Sequence, residues 1–162
     1  MVAGLTNSRW GTRDPYPQRT PMEQRVDMVG FVEQALGGID LRDPAVFDQF
    51  RILQALHEAM ITTFKDLVSL TYEDIEDLTY HLKIFDQNGN HRETRKKSVP
   101  VWQKRSLQAA IALWHEHQFI KLSKDKDANV DLPMEFDWGA LGIYRATRFE
   151  PGKPYVHFMA YH

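Results

Sequence analysis

Two runs of alternating oxygen donors and one pair of histidines are the positions where this chain could hold a metal. Asp125, Asp127, Asn129 and Asp131 fall on alternate residues, as calcium ligands do at the start of an EF-hand loop. Such a loop needs glycine at its sixth position and a bidentate glutamate at its twelfth. Val130 and Phe136 stand there, so the run reads as a solvated loop. Asp86, Asn88 and Asn90 fail the same test, with His91 and Lys97 in those places. In His115-Glu116-His117 the imidazoles lie two residues apart, about 200° around a helix. Zinc ligands on one helix face want four-residue spacing, and with no third ligand in view these read as surface histidines. The chain has no cysteine, which removes thiol catalysis, disulfides and iron–sulfur ligation. No phosphate loop, dinucleotide fingerprint or G-x-S-x-G elbow occurs. The expectation is a non-catalytic structural or interaction protein without a cofactor, metal or identified small-molecule substrate. The alternatives are a nucleic-acid-binding domain using the basic segment 91–105 and an enzyme or enzyme accessory subunit whose site is not visible in linear sequence.

Charge is more informative than any catalytic pattern. Between His91 and Arg105 stand six cations (Arg92, Arg95, Lys96, Lys97, Lys104 and Arg105) against Glu93 alone. Between Thr71 and Asp86 the acids Glu73, Asp74, Glu76, Asp77 and Asp86 face Lys83 alone. Both stretches can be ordinary solvated faces, the acidic one serving a helix dipole. The basic one can also meet phosphates, or the two can dock between copies of the chain. Trp102, close to Lys104, is placed either to stack a base or in the core.

The element that organises these residues is the stretch from Phe64 to Leu78, which reads as a short helix, a sharp turn and a second helix start. Thr71 and Asp74 are spaced for a capping box, and Leu70 and Ile75 for a hydrophobic staple. Ile75, Leu78 and Leu82 then share an inner face. Upstream, Val26, Val29, Phe31, Val32, Ala35 and Leu36 recur at helical spacing before Gly37-Gly38. Asp43-Pro44 starts a helix whose face runs through Val46, Phe50, Leu53, Leu56 and Met60 as one continuous stripe. Asn88-Gly89 is the strongest turn signal, and its flanks, Leu82 to Phe85 and His91 to Val99, can pair as a small hairpin. A long helix follows from Ser98-x-Pro100 to about Ile120, then a polar loop from Lys121 to Asp131. A short helix is expected around Trp138 to Arg148, and an extended end at Tyr155 to Tyr161.

The length of 162 residues suits one domain, and 43% apolar and 26% charged residues with a net charge of -2 are those of a soluble globular protein. No apolar run approaches a membrane span, no signal-peptide core opens the chain and no N-glycosylation acceptor is present, so an intracellular, soluble protein is expected. The fold expected is mainly α: a single domain of about five or six helices, with a small β-hairpin at Asn88-Gly89. An arm spans residues 1–21, the helical core 22–122, and a loop, short helix and extended segment 123–162. The arms carry Trp10, Tyr16, Tyr155, Phe158 and Tyr161, which suit docking on a neighbouring copy alongside Glu73, Glu76 and Asp77.

The cadence from Ala55 to Leu78 resembles helical modules of the sterile-alpha-motif or helix-hairpin-helix type. The order of that cadence, a Gly-containing loop, Val99-Pro100, the Arg105/Leu107/Trp114 helix and Asp137-Trp138 is similar to the N-terminal gag-like region of algal copia-type retroelement polyproteins. The similarity spans roughly residues 40–148. It implies a capsid-like, self-assembling structural subunit whose modules form homo-oligomers and hold nucleic acid.

Overall fold

A computed structural model describes residues 15–142 and 144. Among them the fold is mainly helical, with six α-helices and one two-stranded antiparallel sheet. Helix α1 spans Pro21–Ala35, α2 Pro44–Gln49, α3 Ile52–Glu58, α4 Phe64–Val68 and α5 Tyr72–Glu76. Strands β1 (Thr79–Phe85) and β2 (His91–Ser98) precede the long α6 (Val101–Lys124), and a 3-10 turn covers Trp138–Ala140. Among the described residues no helix is long and apolar enough to cross a membrane.

Helix α6 is the axis of the molecule. Its 24 residues reach about 36 Å. From Gln103 to His115 every residue but Arg105 is buried, so the helix is enclosed on all sides rather than on one stripe. Ala109, Ala110 and Ala112 keep its girth small where α1, α4 and α5 lie against it. The Phe64–Leu78 stretch packs on this axis, burying Phe64, Leu67, Val68, Tyr72, Ile75 and Leu78. Rings interlock the layers: Phe64 meets Phe31 at 5.3 Å and Trp114 at 5.5 Å between centroids.

Helices of five residues cannot stand alone, because the cost of nucleation is spread over too few hydrogen bonds. Their last carbonyls also lack partners within the helix. One line of polar side chains along α6 meets this need at Glu76 and Val68, the last residues of α5 and α4, and also reaches Tyr72, the first residue of α5. Lys104 Nζ donates to the Glu76 carbonyl at 3.1 Å, Gln108 Nε2 to the Tyr72 carbonyl at 3.0 Å, and His115 Nε2 to the Val68 carbonyl. Positions 104, 108 and 115 recur at the spacing that keeps one helix face on α4 and α5.

The caps read from sequence at Asp43 and Thr71 form as expected. Thr71 Oγ1 accepts from Asp74 N–H at 3.1 Å, and Asp74 Oδ2 accepts from Thr71 N–H at 2.9 Å. Leu70, before the cap, is half-buried against the core. Thr71→Ala is expected to cost about 1 kcal/mol by chemical denaturation, since it breaks the box while leaving the core intact. The helix nevertheless ends at Glu76, and Leu82 belongs to β1 rather than to a continued helical face. A second box, Thr20 with Glu23, starts α1.

Other expectations are corrected. Val26, expected on the inner face of α1, is 63% exposed, whereas Phe31, Val32, Ala35 and Leu36 of that face are buried and Met28 joins them. The Asp43-Pro44 helix does not run unbroken to Met60. It breaks at Phe50 and Arg51, where the Gln49 carbonyl turns to Gln103 Nε2 of α6 at 3.3 Å. Met60 is 80% exposed and takes a left-handed φ of 65°, so it ends a helix rather than continuing a face. Helix α6 runs to Lys124, four residues past the expected end at Ile120. Of the segments expected at the two ends, residues 1–14, 143 and 145–162 lie outside the described residues.

Candidate nucleic-acid interface

The hairpin grows out of a buried root. Leu78 and Val99 are buried, and Val99 N–H donates to the Leu78 carbonyl. From there Thr79 pairs with Ser98, Tyr80 with Lys97, His81 with Lys96, Leu82 with Arg95, Lys83 with Thr94 and Ile84 with Glu93. An irregularity follows, and Phe85 pairs with His91. The turn from Asp86 to Asn90 is held by Asp86 Oδ1, which accepts from the N–H groups of Asn88 and Asn90 at 2.9 Å each. Gly89 supplies the left-handed φ of 82° that the turn requires. Asp86 therefore has a structural role in the turn.

The two edges of this ribbon differ. On β1, α3 supplies side chains that act as a partial third strand. Glu58 Oε2 accepts from His81 N–H at 3.1 Å, Gln54 Nε2 donates to the His81 carbonyl at 2.8 Å, and His81 Nδ1 donates to Glu58 Oε1 at 2.7 Å. Burial pushes the Glu58 carboxyl up, but the hydrogen bonds from His81 and Gln54 outweigh it and hold the group below its ordinary value. A depressed carboxyl stabilises the fold above the unfolded pKa, so this clasp loosens as pH falls below the usual carboxylate range. The outer edge of β2 has no strand beside it among the described residues, and all eight of its residues are exposed.

The six expected cations divide into two groups. Arg92, Arg95, Lys96 and Lys97 lie on exposed β2. Arg95 is paired with Glu93 at 2.9 Å, whereas Arg92, Lys96 and Lys97 have no carboxylate partner among the described residues. Lys104 and Arg105 are not part of this surface, which corrects their assignment to it. Lys104 is buried on the Glu76 carbonyl. Arg105 pairs with the Glu76 carboxylate, donates to Gln108 Oε1 at 3.0 Å and lies over the Tyr72 ring at 5.4 Å. The reason is helical: Lys104 and Arg105 sit on α6, beyond the buried root, and face α5.

The proposed assembly residues are likewise redistributed. Glu73 and Asp77 are exposed, but Glu76 turns inward to Arg105 and to Gln108 Nε2. Tyr16 lies on its own body, stacked on Phe64 at 6.4 Å with Lys65 at 5.6 Å from its ring. The adjoining Pro15 carbonyl accepts from Val130 N–H, and Arg19 grips buried Asp27 with two bonds of 2.9 Å. Trp10, Tyr155, Phe158 and Tyr161 lie outside the described residues. Trp102 is 51% exposed rather than core, edge-on to Phe50, and lines an open cleft of about 340 Å³ with Trp138.

The residues weighed as metal ligands have side-chain roles of their own. Among the described residues no group of three or more His, Asp or Glu side chains could hold an ion. His115 is buried, not a surface residue as expected, and His117 packs on Phe136 at 5.5 Å. Asp131 is held by Gln118 and Lys121 of α6. Sequence reasoning overlooked Lys83 and Phe85, although the Asn88-Gly89 turn sets a register that brings both beside the basic strand.

Compared with models of protein families, with curated proteins and with solved structures, the chain finds no match in any of the three.

Proposed function

We propose that the protein is a non-catalytic interaction module that holds nucleic acid through its basic hairpin. The observation that carries this reading is β2: every residue is exposed, and Arg92, Lys96 and Lys97 lack a carboxylate partner among the described residues. Cations kept in water at that density are free to displace counterions from phosphates. A two-stranded ribbon is also narrow enough to lie along or within a nucleic-acid groove. The resemblance of residues 40–148 to gag-like regions points the same way. On this reading the protein works inside the cell and binds without sequence preference.

Self-assembly as a capsid-like subunit is the second reading. It is supported by Glu73 and Asp77, which stay exposed on α5 and its end while β2 offers the opposite charge. A contact between unlike faces is heterologous and builds rings or filaments.

One titration addresses both. Light scattering of the protein alone, from low to high concentration, reads the oligomer mass; adding oligonucleotide at several salt concentrations reads binding. Log affinity is expected to fall linearly with log salt, and Arg92→Gln/Lys96→Gln/Lys97→Gln to flatten that slope by about 2–3. Absence of binding at low salt removes the first reading, and a concentration-independent monomer removes the second.

A further inference from the structure

We propose that the hairpin face carrying Phe85 takes a single-stranded nucleic acid, with an unpaired base stacked on the Phe85 ring and its flanking phosphates held by Lys83 and Lys96. This rests on the reading of the hairpin as a nucleic-acid interface and specifies its ligand. Phe85 is 55% exposed, near the far end of the ribbon from its buried root. It contributes little to the core, and a ring left in water beside cations is the arrangement that single-strand binders use to stack bases.

Residues alternate in face along a strand, and paired residues share one. The register therefore puts His81, Lys83 and Phe85 on one face with Thr94, Lys96 and Ser98 across from them. Tyr80, Leu82 and Ile84 share the other face with Glu93, Arg95 and Lys97. The strand acid Glu93 is thus on the far face, paired with Arg95. Asp86 is directed into the turn, and Glu58 at the root is engaged by His81. Lys83 and Lys96 have no carboxylate partner among the described residues, so the face around Phe85 is cationic. Lys83 is two residues from Phe85, roughly 7 Å along the strand, a distance suited to contacting the backbone of a base stacked on the ring. The His91 ring stands at 67° to Phe85, with centroids 5.8 Å apart, and braces it. A duplex hides its base faces within its own stack, so the ring has a partner only in an unpaired strand.

The test is fluorescence anisotropy with the full chain at low salt, using a labelled oligothymidylate and a blunt duplex of equal length. The single strand is expected to bind about tenfold more tightly than the duplex. Phe85→Ala should weaken the single strand by about tenfold, with an unchanged salt slope and unchanged duplex binding, and Phe85→Trp should restore it. Lys83→Gln/Lys96→Gln should lower the slope for the single strand by about 1.4. Circular dichroism of each variant confirms that the exposed substitutions leave the fold intact. Equal binding of both nucleic acids with a neutral Phe85→Ala overturns the stacking site while leaving a duplex-binding hairpin. Binding of neither overturns the underlying reading as well. Displacement of the oligonucleotide by polyglutamate at equal charge assigns the surface to acidic proteins and also overturns the proposal.

Discussion

Phe64→Ala is expected to destabilise the protein by about 3–5 kcal/mol, the scale of a fully enclosed aromatic side chain lost from a core. The ring is fully enclosed and joins three parts of the chain: Tyr16 before α1, Phe31 within α1 and Trp114 on α6. Removing it leaves a cavity that neighbouring rings cannot fill without leaving their own contacts, and stiff aromatic walls collapse poorly. Domains of this kind are stable by about 5–15 kcal/mol, so the variant keeps a fraction of the parent's margin. Urea denaturation checks it. The midpoint should fall with little change in slope, and a shift below about 1 kcal/mol would show that the rings are not a shared core.

Glu76→Ala is expected to cost about 2–3 kcal/mol, because the loss falls on its partners. Arg105 and Gln108 both direct N–H groups at this carboxylate, and both are largely shielded from water. Without it a guanidinium is left beside the Tyr72 ring with Gln108 Oε1 as its acceptor. Glu76→Gln should recover part of the loss by restoring an acceptor. Glu73→Lys, on the exposed side of the same short helix, should stay within about 0.5 kcal/mol. Comparing the denaturation midpoints of the three variants checks this. It also separates fold from assembly: a change in oligomer mass on altering Glu76 would follow from lost folding, whereas one on altering Glu73 would report a surface.

Much of the architecture was legible where a few neighbouring residues decide it. Thr71 with Asp74, Asp43-Pro44 and Asn88-Gly89 announce a helix start, another helix start and a turn through chemistry within four residues, and all three form. The start of α4 at Phe64 follows for the same reason, whereas Ser98 of β2, expected to open α6, pairs with Thr79 and the helix begins at Val101 without a side-chain cap. What was illegible depends on distant partners. The helix breaks at Phe50, where Gln103, more than fifty positions away, takes the Gln49 carbonyl. Leu82 suits a helix face locally, but pairing with Arg95 makes it a strand residue. His115 looks like a solvated histidine until α4 is laid against it. The candidate site divides along the same line. Arg92, Arg95, Lys96 and Lys97 were readable as a basic run, whereas withdrawing Lys104 and Arg105 required knowing that α5 faces them, and adding Phe85 required the register.

The polar line on α6 also sets an order of events. Helices α4 and α5 are braced at Val68, Tyr72 and Glu76 by donors that lie some thirty to fifty residues later in the sequence. As the chain emerges from the ribosome, the segment through residue 78 is synthesised before α6 exists, and its short helices have neither enough length nor the donors to persist. The first half of the domain must therefore wait for the second. A fragment ending before Val101 should remain without fixed tertiary structure, and supplying α6 as a separate peptide is the minimal way to complete it.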